Sequence, residues 1–162
     1  MRYFLGFVLM FALAISPVRA ETLERTYQAV MHVVSAPTLA VLDDPSHIVG
    51  IPSFRGLAIF ADGSVVAHRY AGWFEIQDGA GAFHGSALWV FSDGELRGSY
   101  EGRIEPRLDD GIEVSATFTG FSGSGRYSNV TGTGEFAGRR LGPVTDGAET
   151  YLEGKLSLRV EP

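Results

Sequence analysis

The chain has no cysteine, which excludes a disulfide framework and a lipid-modified N-terminal cysteine. Lysine is nearly missing too: Lys155 stands alone, and 13 basic residues face 19 acidic ones. Nucleic acid is bound by clustered Lys and Arg that displace counterions from phosphates, so this composition excludes that class of partner. No apolar run is long enough for a membrane helix. Phe4 to Ile15 has 12 residues, whereas a span takes roughly 20. A helical period long enough to connect parallel strands is absent as well. So is Gly-x-Ser-x-Gly, the turn that would expose a nucleophilic serine.

What is present begins with a processing pattern. Arg2 supplies a positive start, the Phe4 to Ile15 run follows, and Val18-Arg19-Ala20 places small residues around a cleavage point. Residues 1–20 are expected to be a signal peptide cut after Ala20. The remaining 21–162 would be one domain with 11 basic and 19 acidic residues, a formal charge of −8, and no membrane anchor. Cysteine-free export points to a periplasmic or secreted protein of bacterial type.

Beyond the signal, Val-, Ile-, Thr- and aromatic-rich runs alternate with turn residues. Asp62-Gly63, Asp78-Gly79, Asp93-Gly94 and Asp110-Gly111 are hairpin signals, because the favoured two-residue turn needs positive φ at both central positions. The pattern predicts strands near 26–34, 55–61, 64–77, 82–92, 95–105, 112–121, 131–141 and 148–160. Pro37, Pro45 and Pro52 each remove a ladder donor, so 35–54 is expected to be a long irregular connection covering one end of the fold or acting as a lid. Eight sequential strands without crossovers predict an all-β, eight-stranded antiparallel up-and-down β-barrel in a single domain.

Residues opposite each other in an antiparallel pair share a face. A two-residue loop at Asp93-Gly94 sets Phe91 against Leu96, Trp89 against Gly98, Ala87 against Tyr100 and Phe83 against Ile104. The other face of the later strand reads Glu95, Arg97, Ser99, Glu101, Arg103 and Glu105 and must meet water. The aromatic face is therefore the lumen. Carried through Asp78-Gly79, the inner side takes Val66, His68, Tyr70, Gly72, Phe74 and Ile76. Carried through Asp62-Gly63, it takes Leu57 and Ile59. Alternation alone places Ile112, Val114, Ala116, Phe118, Phe136, Leu152, Leu156, Leu158 and Val160 inside. Many inward glycines accompany them, among them Gly98, Gly120, Gly134 and Gly154, which permit tight strand coiling or make room for rings.

The densest local motif is Gly123-Ser124-Gly125-Arg126-Tyr127 followed by Gly132-Thr133-Gly134-Glu135-Phe136. It lacks the Lys, the third glycine and the following helix of nucleotide-binding loops. The stretch Ala116–Leu141 resembles the Gly-x-Gly-x-aromatic segment of the allene oxide cyclase and dirigent barrel superfamily, including uncharacterised bacterial members. That resemblance implies an eight-stranded barrel with a hydrophobic cavity, association as a homo-oligomer (trimer or dimer), and confinement of reactive apolar intermediates, as in a cofactor-free isomerase or cyclase.

The residues themselves nominate a small apolar or aromatic molecule as partner, bound by Tyr70, Tyr100, Trp89, Phe74, Phe91 and Phe118. His68 is the candidate catalytic group, since an imidazole on an apolar wall can exchange a proton. The bland counterpart is a histidine satisfied by a neighbouring backbone group. His32, His47 and His84 share no ligand spacing with it and the carboxylates fall in turns or face outward, so no metal and no cofactor are expected. The competing reading is a carrier or interaction module with a filled core. Outward Leu88, Val90 and Trp73 are the residues available for a subunit contact.

Overall fold

The computed structural model describes residues 20–108, 111–142, 144–147 and 149–162. The leader reading of residues 1–19 and the Asp109-Asp110 segment lie outside the described residues. Ten strands follow in order: β1 (Glu21–Ser35), β2 (Thr38–Val41), β3 (Asp44–Gly50), β4 (Ser53–Phe60), β5 (Val65–Gln77), β6 (Ala80–Phe91), β7 (Gly94–Pro106), β8 (Ile112–Gly123), β9 (Val130–Arg140) and β10 (Thr150–Val160). All pairings are antiparallel. A ladder between β5 and β6 joins the two ends of the row β5-β4-β1-β10-β9-β8-β7-β6, closing eight strands into the expected barrel and removing its edges.

The segment 35–54 is not irregular. β2 pairs with β3, and β3 pairs with β5 from His47–Gln77 to Gly50–Phe74. β4 pairs with β5 in the same register, from Ser53–Ala71 to Ile59–Val65. β3 and β4 are thus one long strand interrupted at Ile51-Pro52, and β1 with β2 runs alongside it. Ile51 N donates to Pro37 O across the interruption at 3.0 Å. Pro37 lies on the strand line that ends in the free edge β2, where a missing donor costs little, and Pro52 falls in the interruption between β3 and β4, so neither ends the hairpin. The arm turns at Leu42-Asp43, both with positive φ (51° and 58°).

The turns decide the lining. Asp78 and Gly79 both have positive φ (52° and 83°) between the paired residues Gln77 and Ala80, as the hairpin signal requires. The next hairpin is offset by two residues from expectation. Phe91 pairs with Gly94, Trp89 with Leu96, Ala87 with Gly98 and Phe83 with Gly102, so the loop is Ser92-Asp93 and the inner face is unchanged. The β4–β5 connection, by contrast, is a three-residue loop, with Phe60 N bonded to Ser64 O and Gly63 at φ 83°. An odd loop inverts the facing of the preceding strand. Ala58 and Phe60 are therefore buried, whereas Leu57 and Ile59, expected inside, are exposed.

Elsewhere alternation holds, and large side chains sit opposite small ones. Leu152, Leu156 and Leu158 of β10 face Gly138, Gly134 and Gly132 of β9. Tyr27 of β1 faces Gly154 of β10. A bulge between Ser99 and Tyr100 shifts the β7–β8 register. It turns Phe121 toward the core and takes Gly120 out of the lining. Beyond it β8 leaves β9, whose ladder with it stops at Thr117–Glu135. A short 3-10 turn, Gly125–Tyr127, follows, and Tyr127 is fully buried.

Candidate functional site

The strands divide the lumen into two ends. One holds the β4–β5, β6–β7 and β8–β9 connections and is filled by Leu96, Tyr127, Val130 and Leu158, all buried. Arg25 lies 5.4 Å from the centroids of both Phe60 and Phe91. The opposite end holds the β5–β6, β7–β8 and β9–β10 connections and the β2–β3 arm.

Between them lies an aromatic stack. His68 pairs across the ladder with Trp89 and stacks on it, centroids 4.7 Å apart at 19°. Tyr70 packs edge-on against His68 at 4.6 Å. The hydroxyls of Tyr70 and Tyr27 are 3.3 Å apart and share a hydrogen bond. Tyr100 and Phe136 each lie 5.4 Å from Tyr70, and Phe118 is 5.5 Å from Trp89. Such ring pairs contribute roughly 0.5–1.5 kcal/mol each beyond area burial, which holds the middle of the barrel rigid.

His68 is wholly buried. Its Nδ1–H donates to Leu88 O at 2.9 Å, which leaves Nε2 as the unprotonated nitrogen, without a partner among the described residues. Burial, opposed only by the Leu88 bond, pushes its pKa down to about 4, so at neutral pH the ring is neutral and resists taking up a second proton. Burial raises the phenol pKa of Tyr27, Tyr70 and Tyr100, which keeps all three protonated.

The packing leaves a small space in the lumen, about 70 Å³, at the end carrying the β2–β3 arm. Met31, Phe54, Tyr70, Phe74, Phe83, Tyr100, Ile104, Val114, Arg140, Thr150 and Leu152 line it. Of the residues nominated from the sequence, Tyr70, Tyr100 and Phe74 are brought together here. His68, Trp89, Phe91 and Phe118 face inward but do not border this space. A larger concavity of about 1210 Å³ is bordered by exposed waist residues such as Gln28, Glu101, Arg103, Glu135 and Lys155. It is an open groove with polar and charged side chains along its rim. Among the described residues, no three His, Cys, Asp or Glu side chains converge as a metal-binding set.

No family model and no curated protein matches the chain. Among solved structures it is similar to the pterocarpan synthase dirigent protein GePTS1, at 11% identity and a TM-score of 0.48, covering 96% of this chain and 100% of that one. It is also similar to the pterocarpan synthase dirigent protein PsPTS1, at 16% identity and a TM-score of 0.42, covering 88% and 96%. The eight-stranded antiparallel barrel that the Ala116–Leu141 resemblance implied is the fold the chain adopts, and the β5–β6 closure is what establishes it.

Met31 and Phe54 escaped the sequence reading, and so did two polar cavity residues. Arg140 is inward on β9 and 7% exposed; alternation from Phe136 through Gly138 reaches it. Thr150, its cross-strand partner on β10, is reached by stepping back from Leu152. Tyr27 had no such signal, because no tight turn ties β1 to a strand of assigned facing.

Proposed function

We propose that this protein binds a small apolar or aromatic molecule at the mouth of its lumen beside the β2–β3 arm. The observation that supports this is where the core is incompletely filled. The missing volume is gathered at one end, among the rings of Phe54, Tyr70, Phe74, Phe83 and Tyr100. Ligand pockets usually measure roughly 300–1,000 Å³, so about 70 Å³ admits one edge of a molecule until a ring swings aside. Phe54 and Phe83, both half-buried, are the rings free to do so. Binding by this route is slow and selects slender ligands. Turnover, where the bound molecule is reactive, comes from confinement, with His68 packed behind Tyr70 and away from the bound molecule. The reading includes export, supported by the leader pattern of residues 1–20.

Native mass spectrometry of protein purified from its own source tests the proposal. A retained small molecule is expected, lost in Val114→Phe, which fills the space from β8, and kept in Leu57→Ser on the outer wall. Equal retention in Val114→Phe, or none in the parent, refutes it.

A second reading, an interaction module or homo-oligomer with a filled core, draws on the outer wall. Val30 and Leu57 are cross-strand partners, as are Ile59 and Val65, and all four are more than half exposed. Leu88 and Val90 are only partly exposed on the same face, and Trp73 is covered in part by His84 at 4.3 Å. The subunit count in the same spectra decides between the readings.

A further inference from the structure

The cavity holds hydrogen-bond donors without acceptors. Arg140 carries five N–H donors, of which Nε–H alone is bonded among the described residues, to Gly142 O at 3.0 Å. No carboxylate is among the residues lining the cavity, and none of the ion pairs among the described residues includes Arg140. Its cross-strand partner Thr150 has a buried hydroxyl with no partner among the described residues. Tyr100 borders the same space, and burial holds its phenol protonated.

A buried guanidinium without an anion is a costly arrangement, and burial accordingly lowers its pKa. An apolar residue at this strand end would pack without that cost. The surrounding walls, Met31, Ile104, Val114 and Leu152, are apolar, so the arrangement suits a molecule with one anionic group on an otherwise greasy body. A carboxylate fits best: it is planar, takes two parallel N–H bonds from an arginine fork, and requires less dehydration than a phosphate dianion.

We infer that the lumen mouth takes the carboxylate of an otherwise apolar molecule, with Arg140 pairing with its oxygens and Thr150 and Tyr100 donating to them. This rests on the lumen-binding reading and adds the chemical class of the ligand to it.

Calorimetric titration of the purified protein with 3-phenylpropanoate and with 3-phenylpropan-1-ol, which differ only at the terminal group, tests both separately. The acid is expected to bind roughly 10- to 100-fold tighter than the alcohol, the ratio a charged hydrogen bond supplies. Arg140→Met exchanges a buried charge for an apolar chain of similar length, a change that buried sites tolerate. It should erase that ratio, acid and alcohol then binding alike. Thr150→Val, nearly isosteric, should weaken the acid alone and gives a second reading should Arg140→Met not fold. Equal binding of acid and alcohol by the parent, as when a carboxylate of the protein already neutralises Arg140, overturns the inference and leaves lumen binding standing. Binding of neither overturns both.

Discussion

Acidification should destabilise this barrel through one side chain. The His68 imidazole, with an ordinary pKa of 6.5, is held at about 4 in the folded state because burial disfavours its cation. Between these values the unfolded chain binds a proton that the folded chain refuses, so stability falls as pH drops below 6.5 and the effect is complete near 4. At pH 4.5 an unfolded imidazole is almost wholly protonated and the folded one mostly neutral, a difference of about 2.5 kcal/mol. Above pH 7 both states are neutral and the contribution vanishes. Urea midpoints followed by far-UV circular dichroism at pH 7.0, 6.0, 5.0 and 4.5 measure it, with His68→Phe as the reference. That variant keeps a ring on Trp89 and removes the titration, while the exposed pairs His32–Glu149 and His47–Glu75 contribute equally to both proteins and cancel. His68→Phe should be less stable at pH 7, having left Leu88 O without its donor, by about 1 kcal/mol. It should then overtake the parent by pH 4.5. Parallel pH profiles would refute the claim that the imidazole is buried and neutral.

Gly154→Ala should cost roughly 1–3 kcal/mol, read from the same urea midpoints, because a Cβ there runs into the Tyr27 ring and that ring is fixed by Phe60, Trp89 and the Tyr70 hydroxyl. Replacing Leu42-Asp43 by Asn-Gly should raise the thermal midpoint and slow proteolytic nicking of the arm. A leucine at φ 51°, 95% exposed, costs about 1–2 kcal/mol in that conformation, and nothing in its contacts repays it.

Much of the barrel was legible because its face assignment follows from counting. Once the charged face of β7 was placed in water, the even loop at Asp78-Gly79 fixed His68, Tyr70 and Phe74 inside. The two-residue offset at the next hairpin did no harm, because a shift of two preserves facing. Leu57 and Ile59 failed for the same reason that the others succeeded: Asp-Gly occurs in both two- and three-residue loops, and the sequence does not say which. Proline reads as a strand breaker, which hides the β2–β3 arm; Pro37 instead interrupts the strand line that ends in the free edge β2, and Pro52 falls in the break between β3 and β4. Arg140 was passed over because charge was taken as the mark of the outer face. That rule identifies the wall correctly and hides Arg140, a buried cation that breaks it.

The inverted facing of β4 also bears on what the lumen can hold. Gly56 and Ala58 occupy the inner wall between Tyr27, Met31 and Val66, where Leu57 and Ile59 would otherwise have crowded rings already packed at van der Waals contact. The same odd loop sends those two branched side chains outward beside Val30 and Val65. A single loop residue therefore sets two properties together: how much space the core retains, and how apolar the outer wall becomes. The exposed apolar surface lies on β1, β4 and β5, and β1 and β4 also supply Met31 and Phe54 to the lining of the space next to Arg140. If a second copy covers that surface, it rigidifies the two strands that flank the mouth, and ligand entry should slow as the protein assembles. Stopped-flow binding rates that do not change across the dilution range in which subunits separate would argue against such a link.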